Sequence, residues 1–365
     1  MKSILIFRSA ALGDFVIATP AMNEVKKRYP DRKIVLLTIK SANKKQSEKV
    51  NSYAGSVHSV PWVSLVTPHL IDDVFVIKNI LSIRHLLDLR VKLKRYNFKM
   101  SILMLDPCSP WVGRIKKILL LLFLLGFKPI FGWRGLGSIN GNRKKLNEKG
   151  LLKHHVLGPL QFISEIDKSD KYSEKDLFFD LRPGKEAEKW IDKWIESNCI
   201  KNKRIVCVAP GSIQPHKAWP LDSYQILISL ILESYDVVIV IIGTPKDGHL
   251  ANSILSHQSK DIYNLAGFAS IAQSASLLSK SQLLIGNDGG AMHLGDAMDC
   301  KVISITPGIE YPDSIEPWNN KKLSLRKKIK CSPCYSFNFC PEGHNKCMMD
   351  ISVNEVFAKC QTVLE

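Results

Sequence analysis

The 365-residue chain lacks the two phosphate-binding fingerprints that are most easily read from sequence. No G-x-G-x-x-G follows its first strand-like run, which argues against a dinucleotide dehydrogenase. No G-x-x-x-x-G-K-[ST] occurs either, which argues against a P-loop NTPase. Long apolar runs are also missing. The longest, Ile118 to Phe127 within "KKILLLLFLLGFK", is about half of the roughly 20 residues that a spanning helix needs. The opening "MKSILIFRSAALGDF" holds four apolar residues before Arg8, too few for a signal peptide. Zinc-finger spacing with histidines and an aromatic RNA-binding signature are absent, so nucleic acid is not an expected partner. Acidic residues are scarce relative to basic ones, 34 against 51, which leaves a net charge of +17.

That charge favours anionic partners, or else covers a solvated surface. Much of it lies in the first half, in "RVKLKRYNFK", "GRIKK" and "NRKKLNEK". The apolar run between lysines reads either as a buried core helix or as a patch lying in a membrane interface with its lysines at headgroup level. Nine cysteines without a secretory signal point to a reducing, cytosolic setting, where clustered cysteines mean metal or reduced thiols before disulfides. Apolar residues at 45% and charged residues at 23% describe a globular chain, long enough for two domains.

Short apolar runs alternate with helical segments along the whole chain. "SILIF", "KIVLLT" and "MSILML" fall in the first half, and "RIVCVA", "DVVIVIIG", "QLLIG" and "KVISIT" in the second. This alternation predicts two α/β domains, each a parallel, doubly wound sheet covered on both faces, facing each other across a cleft. Thr19 as cap and Pro20 in the first turn mark an early helix that ends near Tyr29. Pro183-Gly184 marks the boundary. The expected domains are 1–182, 183–350 and a C-terminal helix over 351–365.

Ligands of such sheets bind at the carboxyl ends of the strands. Four loops fall there: "RSAALGD", "APGSIQPHKAWP", "IGTPKDG" and "GNDGGAMH". In the last of these, Gly289 and Gly290 remove side chains where a helix begins, so its N–H groups and dipole can hold a phosphate. Asn287 or Asp288 could cap that helix, and Asp288 could instead orient a neighbour. His293 either faces the same anion or packs. Gly211 and Ser212 offer a second backbone nest, and Lys217 a positive charge. In the tail, Cys331, Cys334, Cys340 and Cys347 could close a structural zinc or iron site, or pack a loop as reduced thiols.

Taken together, these stretches resemble glycosyltransferase family 9, the lipopolysaccharide heptosyltransferases and their relatives. "ILIFRSAALGDFVIATPAMNEVKKRYP" is similar to the family's opening, "APGSIQPHKAWPLDSY" to its donor loop, "NLAGFASIAQSASLLSKSQLLIGNDGGAMHLGDAM" to its Asp-Thr-Gly segment, and "CSPCYSFNFCPEGHNKCMMDI" to its cysteine-rich tail. The resemblance implies a GT-B fold with two Rossmann-like domains, a nucleotide-sugar donor in the second domain, an acceptor in the first, and inversion without a catalytic metal or other required cofactor. By that resemblance Asp14 matches the general base, Ser212 and Lys217 the diphosphate-binding residues, and Asp288, Gly289 and Gly290 the Asp-Thr-Gly. Gly289 stands where the family has threonine, so one hydroxyl contact is lost. Asp247 lies near an acid that meets the donor ribose, and Ala269 near the base pocket.

The expected donor is ADP-heptose or another nucleotide sugar. The expected acceptor is an anionic glycolipid or glycan, reached from the cytoplasm by peripheral association with the inner face of the cytoplasmic membrane. The rival expectation is a non-catalytic sugar-nucleotide or lipid-binding protein on a decayed transferase fold.

Overall fold

The computed structural model describes residues 2–9, 11–39, 60–105, 111–133, 148, 153–168, 171–255 and 260–365. The basic run over 142–149 lies outside the described residues except for Glu148. The chain divides into two compact units, Met1–Leu181 and Arg182–Glu365.

In the first unit, strands β1 (Lys2–Phe7), β2 (Lys33–Ile39), β3 (Asp73–Ile77), β4 (Asn97–Leu103) and β5 (Ile130–Phe131) form one parallel sheet in the order β3-β2-β1-β4-β5. Helices Leu12–Ile17, Thr19–Arg28, Ile83–Lys94 and Trp111–Leu125 connect or follow them. Ile4 to Phe7 are fully buried, as a central strand covered on both faces requires. In register, Ile4 lies beside Ile34 and Leu5 beside Val35. Thr19 is not the cap of its helix. It is the first helical residue, and its hydroxyl donates to the Val16 carbonyl at 2.8 Å, tying the two short helices together.

The second unit repeats the plan. Strands β6 (Arg204–Ala209), β7 (Val237–Ile241), β8 (Ile262–Asn264), β9 (Leu283–Asn287) and β10 (Lys301–Ile305) form a parallel sheet in the order β10-β9-β6-β7-β8. Numbered from its own first strand, each unit has the spatial order 3-2-1-4-5. The strand order therefore reverses beside β1 in the first unit and beside β6 in the second, and a crevice opens at the carboxyl ends there. Helix Val353–Leu364 buries Val356, Cys360 and Leu364 in the second unit's core.

Local chemistry accounts for the division. Asn23 Nδ2 donates to the Phe178 carbonyl at 2.8 Å, and His69 lies 2.9 Å from the Asp180 carbonyl, so residues up to 180 are held on the first unit. Gly184 then takes φ +86°, a left-handed value that suits glycine, and helix Lys185–Ser197 starts directly after it.

Candidate functional site

In the second unit the switch point is assembled around Asn287, the last residue of β9. Its side chain is buried and holds both ends of the loop that follows β6. Nδ2 donates to the Pro210 carbonyl at 2.7 Å, and Oδ1 accepts from the Trp219 N–H at 2.8 Å. Asn287 is thus a loop clasp and not a helix cap. Trp219 is held in turn from beyond the sheet, its Nε1 donating to the Ile351 carbonyl at 2.8 Å.

The loop so held carries Gly211, Ser212 and Lys217. The Ser212 hydroxyl donates to the Gln214 carbonyl at 2.9 Å and accepts from the Gln214 N–H at 3.3 Å, which closes a tight turn on itself. Lys217 Nζ lies 3.8 Å from Asp288 Oδ2, with both side chains largely shielded from solvent. Asp288 therefore orients the lysine. It does not cap the helix that follows, and neither does any other side chain, since the N-cap is Gly289. Burial, and then the Lys217 charge, push the neighbouring His216 down, which keeps that imidazole neutral and leaves Lys217 as the cation of the loop.

Helix Gly290–Ala297 begins at this point. Gly289 has φ 172°, an extended value open to any residue, and a Cβ there would meet only the Asn287 carbonyl oxygen at 3.8 Å. Gly290 is the first helical residue and is not among the glycines with positive φ. Backbone conformation therefore does not require glycine at either position. What Gly289 supplies is open space beside the first helical N–H groups.

His293 is buried one turn further on. Burial pushes the carboxyl of Asp296, three residues along the same helix, up, while hydrogen bonds from Asn320 and Asn319 hold it down. Asn320 Nδ2 lies 2.7 Å from that carboxylate and the Asn319 N–H 3.0 Å.

Asp247 closes the turn after β7. Its carboxylate accepts from the Thr244 N–H at 2.7 Å and from the Thr244 hydroxyl at 2.8 Å. A Cβ on Gly211 would overlap that carboxylate, so glycine is needed there to let the two loops close on each other. The Ala269 N–H is used within its own loop, donating to the Leu265 carbonyl at 3.1 Å.

In the first unit Asp14 lies in helix Leu12–Ile17, directly after β1 and at that unit's switch point. The N-cap of this helix is Ala11, without a side-chain bond, so Asp14 is no cap. Beneath it, the almost fully buried Arg8 donates to the Met104 carbonyl beyond β4 at 2.9 Å and to the Asp14 carbonyl itself. One guanidinium thus joins the ends of β1 and β4 to the turn that bears the carboxylate.

The tail cysteines gather on the loop after β10. The Cys334 and Tyr335 N–H groups donate to the Gly308 and Ile309 carbonyls at 3.2 and 2.8 Å. All four are half-buried free thiols. Burial pushes the Cys347 thiol up, with smaller contributions from Cys334, Cys340 and Cys331. Among the described residues no three His, Cys, Asp or Glu are arranged to hold a metal ion. Backbone contacts organise the loop that carries Cys331, Cys334, Cys340 and Cys347. The tail adjoins the donor loop, since Lys217 Nζ lies 5.8 Å from the centre of the Phe337 ring.

Sequence reading passed over Arg8, Asn319 and Asn320, and took Asn287 only as a cap. A polar residue ending an apolar strand was the available signal at Arg8 and Asn287. The Asn319-Asn320 contact joins residues 23 and 24 positions from Asp296 and carried no signal.

Two units of this topology, each with its polar loops at the carboxyl ends of the strands, define a GT-B transferase fold. The chain belongs to glycosyltransferase family 9 (heptosyltransferase), whose model matches residues 89–343. It is 27% identical over 219 residues to lipooligosaccharide heptosyltransferase 2 of Campylobacter jejuni, a match covering 58% of this chain and 65% of that protein, just under two thirds of its length. Its fold is similar to that of E. coli ADP-heptose lps heptosyltransferase II, with a TM-score of 0.69 at 18% identity and 99% and 98% of the two chains covered. A glycosyl transferase family 9 protein from Veillonella parvula gives a TM-score of 0.74 at 16% identity, covering 100% and 97%. The iron-containing dodecameric glycosyltransferase TibC of E. coli gives 0.55 at 13% identity, covering 99% of this chain and 75% of that one.

Proposed function

We propose that the protein is an inverting heptosyltransferase that moves heptose from ADP-heptose onto an anionic glycolipid of the lipopolysaccharide type at the inner face of the cytoplasmic membrane. One observation carries the donor half of this reading. The cation of Lys217, the Gly211-Ser212 turn and the uncapped start of helix Gly290–Ala297 all belong to loops at the carboxyl ends of the adjacent strands β6 and β9. A diphosphate needs that combination, a positive charge together with inward-facing N–H groups.

In the reaction, the acceptor hydroxyl oxygen attacks the anomeric carbon from the face opposite the leaving group. The Asp14 carboxylate takes the hydroxyl proton as the new C–O bond forms. The bond from the anomeric carbon to the diphosphate oxygen breaks with its electron pair, so ADP leaves with added negative charge. Lys217 and the helix dipole stabilise that charge, and no step passes through a metal. Asp288 holds Lys217 in place before the donor arrives. Asp247 and Asn287 fix the donor loop without needing to touch the sugar.

The test is a donor screen. Nucleotide release is measured with ADP-, GDP- and UDP-sugars in the presence of a deacylated lipopolysaccharide-type acceptor. Release is expected from ADP-heptose and only when acceptor is present. Tight nucleotide binding without turnover of any donor would replace this reading with that of a binding protein on a transferase fold.

A further inference from the structure

Helix Trp111–Leu125 is apolar on two sides. Leu120, Leu121 and Leu124 are buried, so on this side the apolar run is core, as the core-helix reading of it expects. The opposite side carries Trp111, Ile115, Leu119 and Phe123 at a constant spacing of four, all exposed, and Phe127 follows at 95% exposure. A four-residue step keeps side chains on one helical face.

The adjacent helix Ile83–Lys94 does the same, burying Leu89 and Leu93 while exposing Ile83, Leu87 and Val91. Just before it, Leu81 is 88% exposed. The two faces are continuous. Ile80, Ile83 and Leu86 from one side and Lys116, Leu120 and Phe123 from the other line a single open groove. The Arg90 guanidinium also lies 5.3 Å from the centre of the Phe123 ring. Scattered exposed apolar residues need no explanation, but a contiguous two-helix face does. Among the described residues, no helix is long and apolar enough to cross a membrane.

Charge decides what covers this face. Segments 78–95 and 111–128 hold ten Lys and Arg and a single acid, Asp88. Two copies meeting face to face would bring like charges together. We infer that the face formed by helices Ile83–Lys94 and Trp111–Leu125 docks on an anionic lipid bilayer, with its apolar side chains in the interface and its basic residues at the phosphate level. For its biological purpose the inference rests on the proposed glycolipid acceptor, because docking would bring the first unit to a lipid-anchored substrate.

The experiment is vesicle flotation of the full chain without donor or acceptor, using phosphatidylcholine vesicles with or without phosphatidylglycerol. Binding is expected only with phosphatidylglycerol present, and it should weaken as salt rises. A variant with Ile115→Ser, Leu119→Ser and Phe127→Ser should lose about tenfold or more in partitioning. Its thermal midpoint and its nucleotide release with a water-soluble acceptor should stay unchanged. Should that variant fail to fold, Lys116→Glu with Lys128→Glu tests the same face through charge, with the same loss expected. Parent protein that floats with neither vesicle, or variants that bind as well as the parent, overturn the inference. So does a parent that is dimeric and becomes monomeric in the variant. Vesicle binding with no donor turned over would sink the transferase reading alone and leave the docking face standing.

Discussion

The Asn287 clasp can be tested with one side chain. Asn287→Ala removes a buried donor and a buried acceptor together, leaving the Pro210 carbonyl and the Trp219 N–H without the partners now at 2.7 and 2.8 Å. Each orphaned backbone group costs about 1–3 kcal/mol, so roughly 2–6 kcal/mol is at stake if no water enters. For a unit of this size that corresponds to a fall in thermal midpoint of about 4–24 °C. Water reaching the space left by the side chain would bring the fall toward the lower end. Asn287→Asp separates the two bonds, since a carboxylate can still accept from Trp219 but faces the Pro210 carbonyl as a second acceptor. Because the clasp sets both ends of the Lys217 loop, ADP affinity measured by calorimetry on the folded variant should fall as well, well below the melting range. An unchanged midpoint and unchanged ADP affinity in Asn287→Ala would refute the claim that this residue builds the donor loop.

The other expectations are more direct. Asp14→Asn should retain ADP binding and lose turnover by roughly two to four orders of magnitude, and unchanged turnover in the release assay would remove Asp14 from the mechanism. At the helix start, Gly289→Thr should bind ADP as well as the parent or better, because its Cβ meets only one oxygen at 3.8 Å, whereas Gly290→Val should weaken binding by crowding the N–H groups. Equal calorimetric affinity for Gly290→Val and the parent would move the donor site elsewhere. The Lys327 ammonium and the Ser352 cap hold the Glu355 carboxyl down at about 2, against an ordinary 4.5. Its contribution to stability is therefore complete above the ordinary value and is lost as pH falls from 4.5 toward 2. Glu355→Gln should accordingly be less stable than the parent at neutral pH and converge with it in acid. A gap between the two denaturation curves that does not change with pH would contradict this assignment.

Much of the fold was legible because both sheets are parallel and buried on two faces. Such strands read as continuous apolar runs, and β1, β2, β4, β6, β7, β9 and β10 all announce themselves that way. The three missed strands, β3, β5 and β8, are outer strands. β5 and β8 are only two and three residues long, and the "DVFVI" of β3 is only partly buried, so none carries that signature. The loops holding the candidate site were legible for the same reason, since each interrupts an apolar run with glycine and a polar residue.

The sequence by itself determined the alternation of elements and the family, because local propensity and motif spacing act over short stretches of chain. The tertiary structure alone decided what the polar residues do. Asn287 became a clasp, Asp288 the partner of Lys217 and Asp247 the closure of a turn, and each of these contacts except Asp247's joins residues far apart in the chain. It also decided which side of the Ile118–Phe127 run is core. Ten apolar residues in a row carry no phase of their own, and only the sheet beneath the helix selects Leu120, Leu121 and Leu124 for burial and leaves Leu119, Phe123 and Phe127 outside.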